Sequence, residues 1–176
     1  MNTTLFTDAI ISQYKAALSM LRNVISRVPE DMWNSKEQAD TNKSWRLLYH
    51  TIWSTQYYLN GKAIDSAFWE RAIPGAESLG GAWEDPQTII PVKGTNSPEE
   101  LLGFLEDIEA NLEMNVKTFP LEQPSGFEWY PYSRFELHIN NIRHIQHHTG
   151  EIIERLKNKG YSGFDWAIDG NPPAEW

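Results

Sequence analysis

Residues 140–156 read NNIRHIQHHTGEIIERL, and this stretch combines a helical repeat with three histidines. At about 100° per residue, a helical wheel places its large aliphatic side chains on one face, as in a helix that packs against a core. These side chains are Ile142, Ile145, Ile152, Ile153 and Leu156. His144 and His148 lie one turn apart at the edge of that face, whereas His147 points away from it. The pattern predicts a long amphipathic helix with two histidines directed inward.

Three other segments have the same helical periodicity. The first spans about 5–27, and the second runs from Ser44, a suitable N-cap, to Gly61. The third begins at the capping-box sequence SPEE, which starts at Ser97, and the histidine-bearing fourth spans about 133–159. Four long helices in 176 residues predict one all-α domain over 1–176, a four-helix bundle with a long crossover between its second and third helices.

That crossover, about 62–96, is rich in glycine and proline and opens with a short helical piece, AIDSAFWERA. Connections of this length are usually functional or cross a bundle. Its Phe68, Trp69 and Trp83 either line a substrate cleft or belong to the core. The tail, 160–176, is also rich in aromatic residues, and we expect it to pack on the domain or on a second subunit.

The composition excludes several classes of site and partner. The chain has no cysteine, so disulfides, thiolate metal sites and a cysteine nucleophile are excluded. Its formal net charge of −9 argues against nucleic acid or an anionic membrane as a partner. There is neither a long apolar run nor a basic N-terminal segment, so we expect a soluble, cytoplasmic protein without a signal peptide.

His50 is the histidine that turns the pair at 144 and 148 into a candidate metal site. It lies within LLYHTIW, residues 47–53, where apolar neighbours make an unpaired imidazole costly. If the second helix packs beside the fourth, His50 joins His144 and His148 in a set of three imidazoles. Three neutral imidazoles with an open fourth position form a reactive site for a divalent metal.

The other polar residues of the fourth helix have competing interpretations. Glu151 shares the edge with the two inward histidines, and it is either a carboxylate that orients an imidazole, a nearby base, or an exposed helix charge. His138 lies on the apolar face, and we expect a core histidine bonded to a carbonyl. His147 is expected to be a solvated surface residue. Ile145 stands where a zinc protease has its glutamate, and no Glu-x-x-His repeat indicates a di-iron bundle.

Together, the two histidine motifs resemble those of the DinB family, the DinB/YfiT-like metalloenzymes. The resemblance rests on SWRLLYHTIW, residues 44–53, and on HIQHHTGEI, residues 144–152, which matches the family signature H-x-x-H-H-x-G-[EQ]-[LI]. It covers essentially the whole chain. It implies an up-down-down-up four-helix bundle, often a homodimer, with a divalent metal on His50, His144 and His148. Zinc and nickel are the metals we expect first.

Characterised members of that family include transferases that activate a low-molecular-weight thiol, such as bacillithiol or mycothiol, and a mycothiol-dependent maleylpyruvate isomerase. The resemblance therefore implies a metal-dependent transferase that acts on a small molecule with a thiol co-substrate. A thiol at the open metal position would lose its proton and become a nucleophile. Two alternatives stay open: a non-catalytic metal-binding or stress-response bundle, and a dimeric helical protein without a metal.

Overall fold

The computed structural model describes residues 3–35, 42–60, 72–79 and 92–170. Within these ranges every regular element is a helix and no strand is present, apart from an isolated β-bridge between Pro124 and Ser133. The helices are α1 (Thr3–Arg27), α2 (Glu30–Trp33), α3 (Ser44–Asn60), α4 (Pro98–Thr118) and α5 (Arg134–Asn158). The all-α prediction is thereby confirmed for the described part of the chain. None of these helices is long and apolar enough to cross a membrane.

Capping boxes fix the starts of α4 and α5. Ser97 accepts a hydrogen bond from the backbone N–H of Glu100, and Ser133 accepts one from that of Glu136. Each glutamate accepts in return from the backbone N–H of its serine, so two otherwise unpaired donors are satisfied at each helix start. Both starts agree with those predicted from the sequence.

The single-turn helix α2 was not predicted from the periodicity, because four residues are too few to establish a repeat. Its Met32 and Trp33 are buried. The indole N–H of Trp33 donates to the carbonyl of Asn96 at 2.8 Å, and this bond ties α2 to the segment that precedes α4.

The long helices share one hydrophobic core. α1 packs against α4 and α5, and α3 packs against the same two helices. Each helix contributes fully buried side chains to the shared core, among them Leu18, Leu48, Leu105 and Ile145. α3 is buried around most of its circumference, as its nearly continuous apolar sequence predicts. Because α3 packs on α5, His50 is carried to the face of α5 that bears the other inward histidines.

Parts of the crossover and of the tail lie outside the described residues. These parts include almost all of the predicted helical piece at 63–72, together with Phe68, Trp69 and Trp83. The described segment 72–79 lies against α3, where the hydroxyl of Tyr49 accepts from the backbone N–H of Ile73 at 3.2 Å.

The described part of the tail packs on α1. The guanidinium of Arg27 donates to the carbonyl of Ser162 at 3.1 Å. Ala167 is buried in a small apolar cluster with two residues of α1. Residues 161–170 therefore pack on the body of the domain, which is one of the two predicted locations. Residues 171–176 lie outside the described ranges.

Candidate metal centre

Three imidazoles meet between α3 and α5. The Nε2 atom of His144 lies 3.0 Å from Nε2 of His50 and 3.1 Å from Nε2 of His148. One nitrogen from each ring lies within 4.8 Å of the other two, a spacing at which the group could hold a metal ion. The structure thus brings together the three histidines that the sequence singled out.

Buried polar contacts fix the register between α3 and α5 on which this convergence depends. The side-chain amide of Asn141 donates to the carbonyl of Thr55 at 3.0 Å. The guanidinium of Arg134 is buried and donates to the carbonyl of Leu59 at 2.9 Å. An unpaired buried carbonyl or amide is costly, so both contacts disfavour sliding of one helix along the other.

The Nδ1 atom of His50 is bound by a backbone carbonyl and therefore carries the ring's proton. It lies 2.5 Å from the carbonyl oxygen of Glu77, which can only accept a hydrogen bond. The Nε2 atom is then unprotonated and presents its lone pair to the centre. Burial lowers the pKa of His50 to about 4, although the bond to the carbonyl opposes that shift. This imidazole is neutral near pH 7, which is the form that binds a metal.

Arg46 positions the carbonyl to which His50 donates. It lies one helical turn before His50, and its buried guanidinium donates to the carbonyls of Gly75 (3.1 Å) and Ser78. These two carbonyls flank that of Glu77, so the guanidinium fixes the backbone on both sides of it. Sequence reasoning missed Arg46. The available signal was a lone cation four residues before a histidine in an otherwise apolar helix.

His148 is oriented in the same way by a carboxylate. Its Nδ1 atom lies 2.5 Å from Oε2 of Glu151, and this hydrogen bond lowers the pKa of the glutamate. The ionised carboxylate accepts the Nδ1 proton, which leaves the Nε2 lone pair of His148 facing the centre. The carboxylate is about half exposed. Of the interpretations considered for Glu151, this geometry matches the orienting carboxylate, while a role as base stays a prediction.

His144 is the central imidazole. Its Nε2 atom faces the other two rings, and its buried Nδ1 atom has no hydrogen-bond partner among the described residues. Burial, reinforced by the neighbouring imidazoles, lowers the pKa of His144 to about 3. The Nε2 atom of His144 carries at most one proton, and that proton can point directly at Nε2 of His50 or at Nε2 of His148, but not at both. At least one of these two nitrogens therefore faces His144 without a proton between them.

This donor set fits a divalent cation. Converging lone pairs of neutral imidazoles repel one another unless a positive charge lies among them. With metal–nitrogen bonds of about 2.0–2.1 Å, ligand nitrogens lie about 2.9 Å apart at right angles and about 3.3 Å apart in a tetrahedron. The separations of 3.0 and 3.1 Å fall between these values. Three protein ligands leave at least one coordination position for water or substrate.

The other two histidines lie outside this set. The side chain of His147 is 68% exposed, as predicted, and its Nε2 atom lies 3.8 Å from the carboxylate of Glu151. His138 is 1% exposed, as expected for a core histidine, but its Nδ1 atom pairs with the hydroxyl of Tyr14 at 3.1 Å and not with a carbonyl. The expected carbonyl partner was wrong because α1 presents a phenol at that position.

Sequence reasoning also missed an aromatic group that flanks the centre. The ring of Tyr58 stands edge-on to the imidazole of His144, with centroids 6.0 Å apart, and lies 5.8 Å from the ring of Trp129. Tyr58 lies two helical turns after His50, a spacing that keeps it near the same face of α3. That spacing was the available signal.

Comparison with known proteins adds no relative: no family model matches the chain, and neither a curated protein nor a solved structure matches it significantly. The likeness to the DinB family therefore rests on the two histidine motifs.

Proposed function

We propose that this chain is a DinB-like metalloenzyme that binds a divalent metal, zinc or nickel, through His50, His144 and His148. In this proposal it is a transferase that activates a low-molecular-weight thiol for reaction with a small molecule. The observation that carries the proposal is the convergence of three imidazole Nε2 atoms, two of which belong to rings whose Nδ1 proton is already bound elsewhere.

The helix packing supports the fold that belongs to this proposal, an up-down-down-up four-helix bundle. α1 and α3 each contact both α4 and α5, as opposite members of a four-membered ring of helices do. A homodimer is part of the same proposal, and light scattering on the purified protein tests it.

The protein's own groups would hold and tune the metal. His50 and His148 keep their lone pairs directed at the centre because Glu77 and Glu151 accept the protons on the opposite ring nitrogens. A metal bound here would supply Lewis acidity, which lowers the pKa of a coordinated thiol or water. Glu151 is half exposed, so its carboxylate can exchange a proton with solvent while it orients His148.

Elemental analysis tests the metal part of the proposal. Wild-type protein incubated with zinc or nickel and then desalted is expected to retain about one ion per chain, whereas His144→Ala loses it. His147→Ala is the matched control because it removes an exposed imidazole from the same helix. Equal, near-zero metal in wild type and His144→Ala would refute the metal site.

Conjugation of monochlorobimane with a panel of thiols tests the catalytic part. The panel includes bacillithiol, mycothiol and glutathione, and turnover is expected to require both the metal and His144. A metal-loaded protein that accelerates none of these reactions would favour the alternative, a non-catalytic metal-binding bundle.

A further inference from the structure

We propose that the aromatic side chains beside the histidine centre form a subsite for a planar aromatic group of the substrate. This inference rests on the proposed function and names the class of small molecule that the centre would take. Tyr58 connects the two parts, because its ring contacts the imidazole of His144 on one side and the ring of Trp129 on the other.

From Tyr58, ring contacts continue outward to the surface. Phe127 lies 6.1 Å from Tyr58 and 5.6 Å from Trp129, measured between ring centroids. Tyr130 lies 5.6 Å from Trp129 and 5.0 Å from Tyr132. These separations fall in the range of about 4.5–7 Å in which aromatic rings attract one another. The ring of Tyr57 lies 4.8 Å from that of Phe127 and belongs to the same set. We call this set the aromatic wall; its members are Tyr57, Tyr58, Phe127, Trp129, Tyr130 and Tyr132.

The outer end of the aromatic wall is open to solvent, although its inner end reaches a metal ligand. Trp129 is 55% exposed and Tyr132 is 54% exposed. Single exposed rings are common, but a contiguous set that leads to a polar, partly buried centre has the composition of a ligand pocket. Apolar walls supply the contact area there, and a few convergent polar groups fix the orientation of the ligand.

The loop between α4 and α5 holds the exposed rings in place. The backbone N–H of Ser125 donates to the backbone carbonyl of Tyr132 at 2.8 Å. The side-chain hydroxyl of Ser125 donates to the backbone carbonyl of Tyr130 at 2.6 Å. Arg134 donates to the carbonyls of Ser125 (3.0 Å) and Leu59 (2.9 Å), which anchors the loop to the end of α3. A ligand that stacks on pre-positioned rings avoids the entropic cost of ordering them.

The position of Tyr58 favours a small molecule over a protein partner as the occupant. The inner ring of the aromatic wall contacts the imidazole of His144, which would hold the metal, so the wall and the metal site adjoin. A compact ligand with a metal-binding group and a flat aromatic group can reach both.

Two hydroxamates that share one chelating group test the subsite. Acetohydroxamate binds through the metal alone, whereas 2-naphthohydroxamate adds a flat two-ring surface. Titration of the nickel-loaded protein is expected to give the naphthyl compound an affinity at least tenfold higher, because it buries apolar area against the wall. In Trp129→Ala we expect that advantage to fall about tenfold, with acetohydroxamate affinity unchanged.

Trp166→Ala is the matched control, because Trp166 is 72% exposed and lies in the tail. It is expected to keep the naphthyl advantage in full. An advantage that is absent from wild type, or that survives intact in Trp129→Ala, would overturn the subsite. Nickel uptake, measured on the same samples, separates the two failures. A protein that takes up neither nickel nor zinc refutes the proposed function, whereas a loaded protein without aromatic preference refutes only the subsite.

Discussion

Two of the inward-facing histidines of α5, His138 and His144, lie six residues apart, and their surroundings differ. His138 is in the core, where its Nδ1 atom meets a single partner, the hydroxyl of Tyr14. His144 lies nearer the surface, and its Nε2 atom meets two other imidazole nitrogens. Burial lowers the pKa of His138 to about 4, and burial with the neighbouring imidazoles lowers that of His144 to about 3.

A buried histidine with a depressed pKa is therefore not by itself a sign of a metal site. Desolvation disfavours the charged ring in both places. The surroundings of His138 and His144 differ in how many nitrogen lone pairs converge with no proton between the nitrogens. One phenol is enough to satisfy Nδ1 of His138, whereas the nitrogens around His144 cannot all be satisfied by one another.

The largest expected effect comes from comparing two variants. One removes the proposed ligand His50, and the other replaces the core histidine His138. We expect His50→Ala to weaken zinc binding by more than about 100-fold, because losing an orienting partner alone costs about 10- to 100-fold. His138→Asn, which keeps an acceptor for Tyr14, is expected to leave zinc affinity within about threefold of wild type. Competition with a chromophoric chelator measures both. Similar losses in the two variants would break the distinction.

The next effect is on stability and concerns the pH dependence of His138. Its pKa is lower in the folded chain, at about 4, than in the unfolded chain, near 6.5. Its contribution to stability is therefore present above pH 6.5 and is lost as the pH falls toward 4. The loss amounts to roughly 2–3 kcal/mol.

Urea denaturation of the metal-free protein at several pH values measures this contribution. His50 and His144 act in the same direction, so wild type is compared with His138→Asn. The variant is expected to show a shallower decline between pH 6.5 and 4. Identical declines would mean that His138 is not held neutral by the fold.

A smaller effect is expected at Arg46, which acts on the centre through the backbone. In Arg46→Ala the carbonyls around Glu77 lose their anchor, and the proton on Nδ1 of His50 loses a fixed acceptor. We expect zinc affinity to fall about 10- to 100-fold. Nitrogen-15 NMR of the His50 ring should also show a mixture of tautomers in place of one.

Arg22→Ala serves as the control for Arg46, since its guanidinium pairs with Glu106 and Glu109 between α1 and α4. It is expected to leave both zinc affinity and the His50 spectrum unchanged. A single unaltered His50 tautomer in Arg46→Ala would show that the guanidinium does not position the carbonyl.

The smallest effect is expected at Glu151. In Glu151→Gln the side-chain oxygen still accepts from Nδ1 of His148, but without a negative charge, so zinc affinity should fall only several-fold. Glu154→Gln removes a nearby exposed carboxylate and is expected to have no effect. A loss above about 100-fold in Glu151→Gln would mean that the carboxylate is itself a ligand.

The sequence predicted features that depend on local spacing. The start of α4 follows from the capping box at Ser97, and that of α5 follows from the helical repeat that begins at about 133. The separation of His147 from its neighbours follows from the helical period. The approach of His50 to α5 required the additional assumption that an apolar α3 packs there. The observed contact between α3 and α5 confirms that assumption.

The missed features depend on which distant segments come together. Whether the carbonyl of Glu77 meets His50 is decided by where the crossover places residues 72–79, and no periodicity encodes that position. Tyr14 reaches His138 only because α1 packs on α5. Trp129 lies in an irregular loop, so its contact with Tyr58 had no helical spacing from which to be predicted.

X-ray absorption at the zinc edge of the loaded protein shows directly whether the three imidazoles hold the metal. We expect one zinc per chain with three imidazole ligands and oxygen or a thiol sulfur in the remaining position. The zinc edge is expected to disappear with the metal in His144→Ala, and the imidazole scattering is expected to be unchanged in His147→Ala. Zinc bound by fewer than three imidazoles in the wild type, or a spectrum that His144→Ala leaves intact, would contradict the three-histidine site.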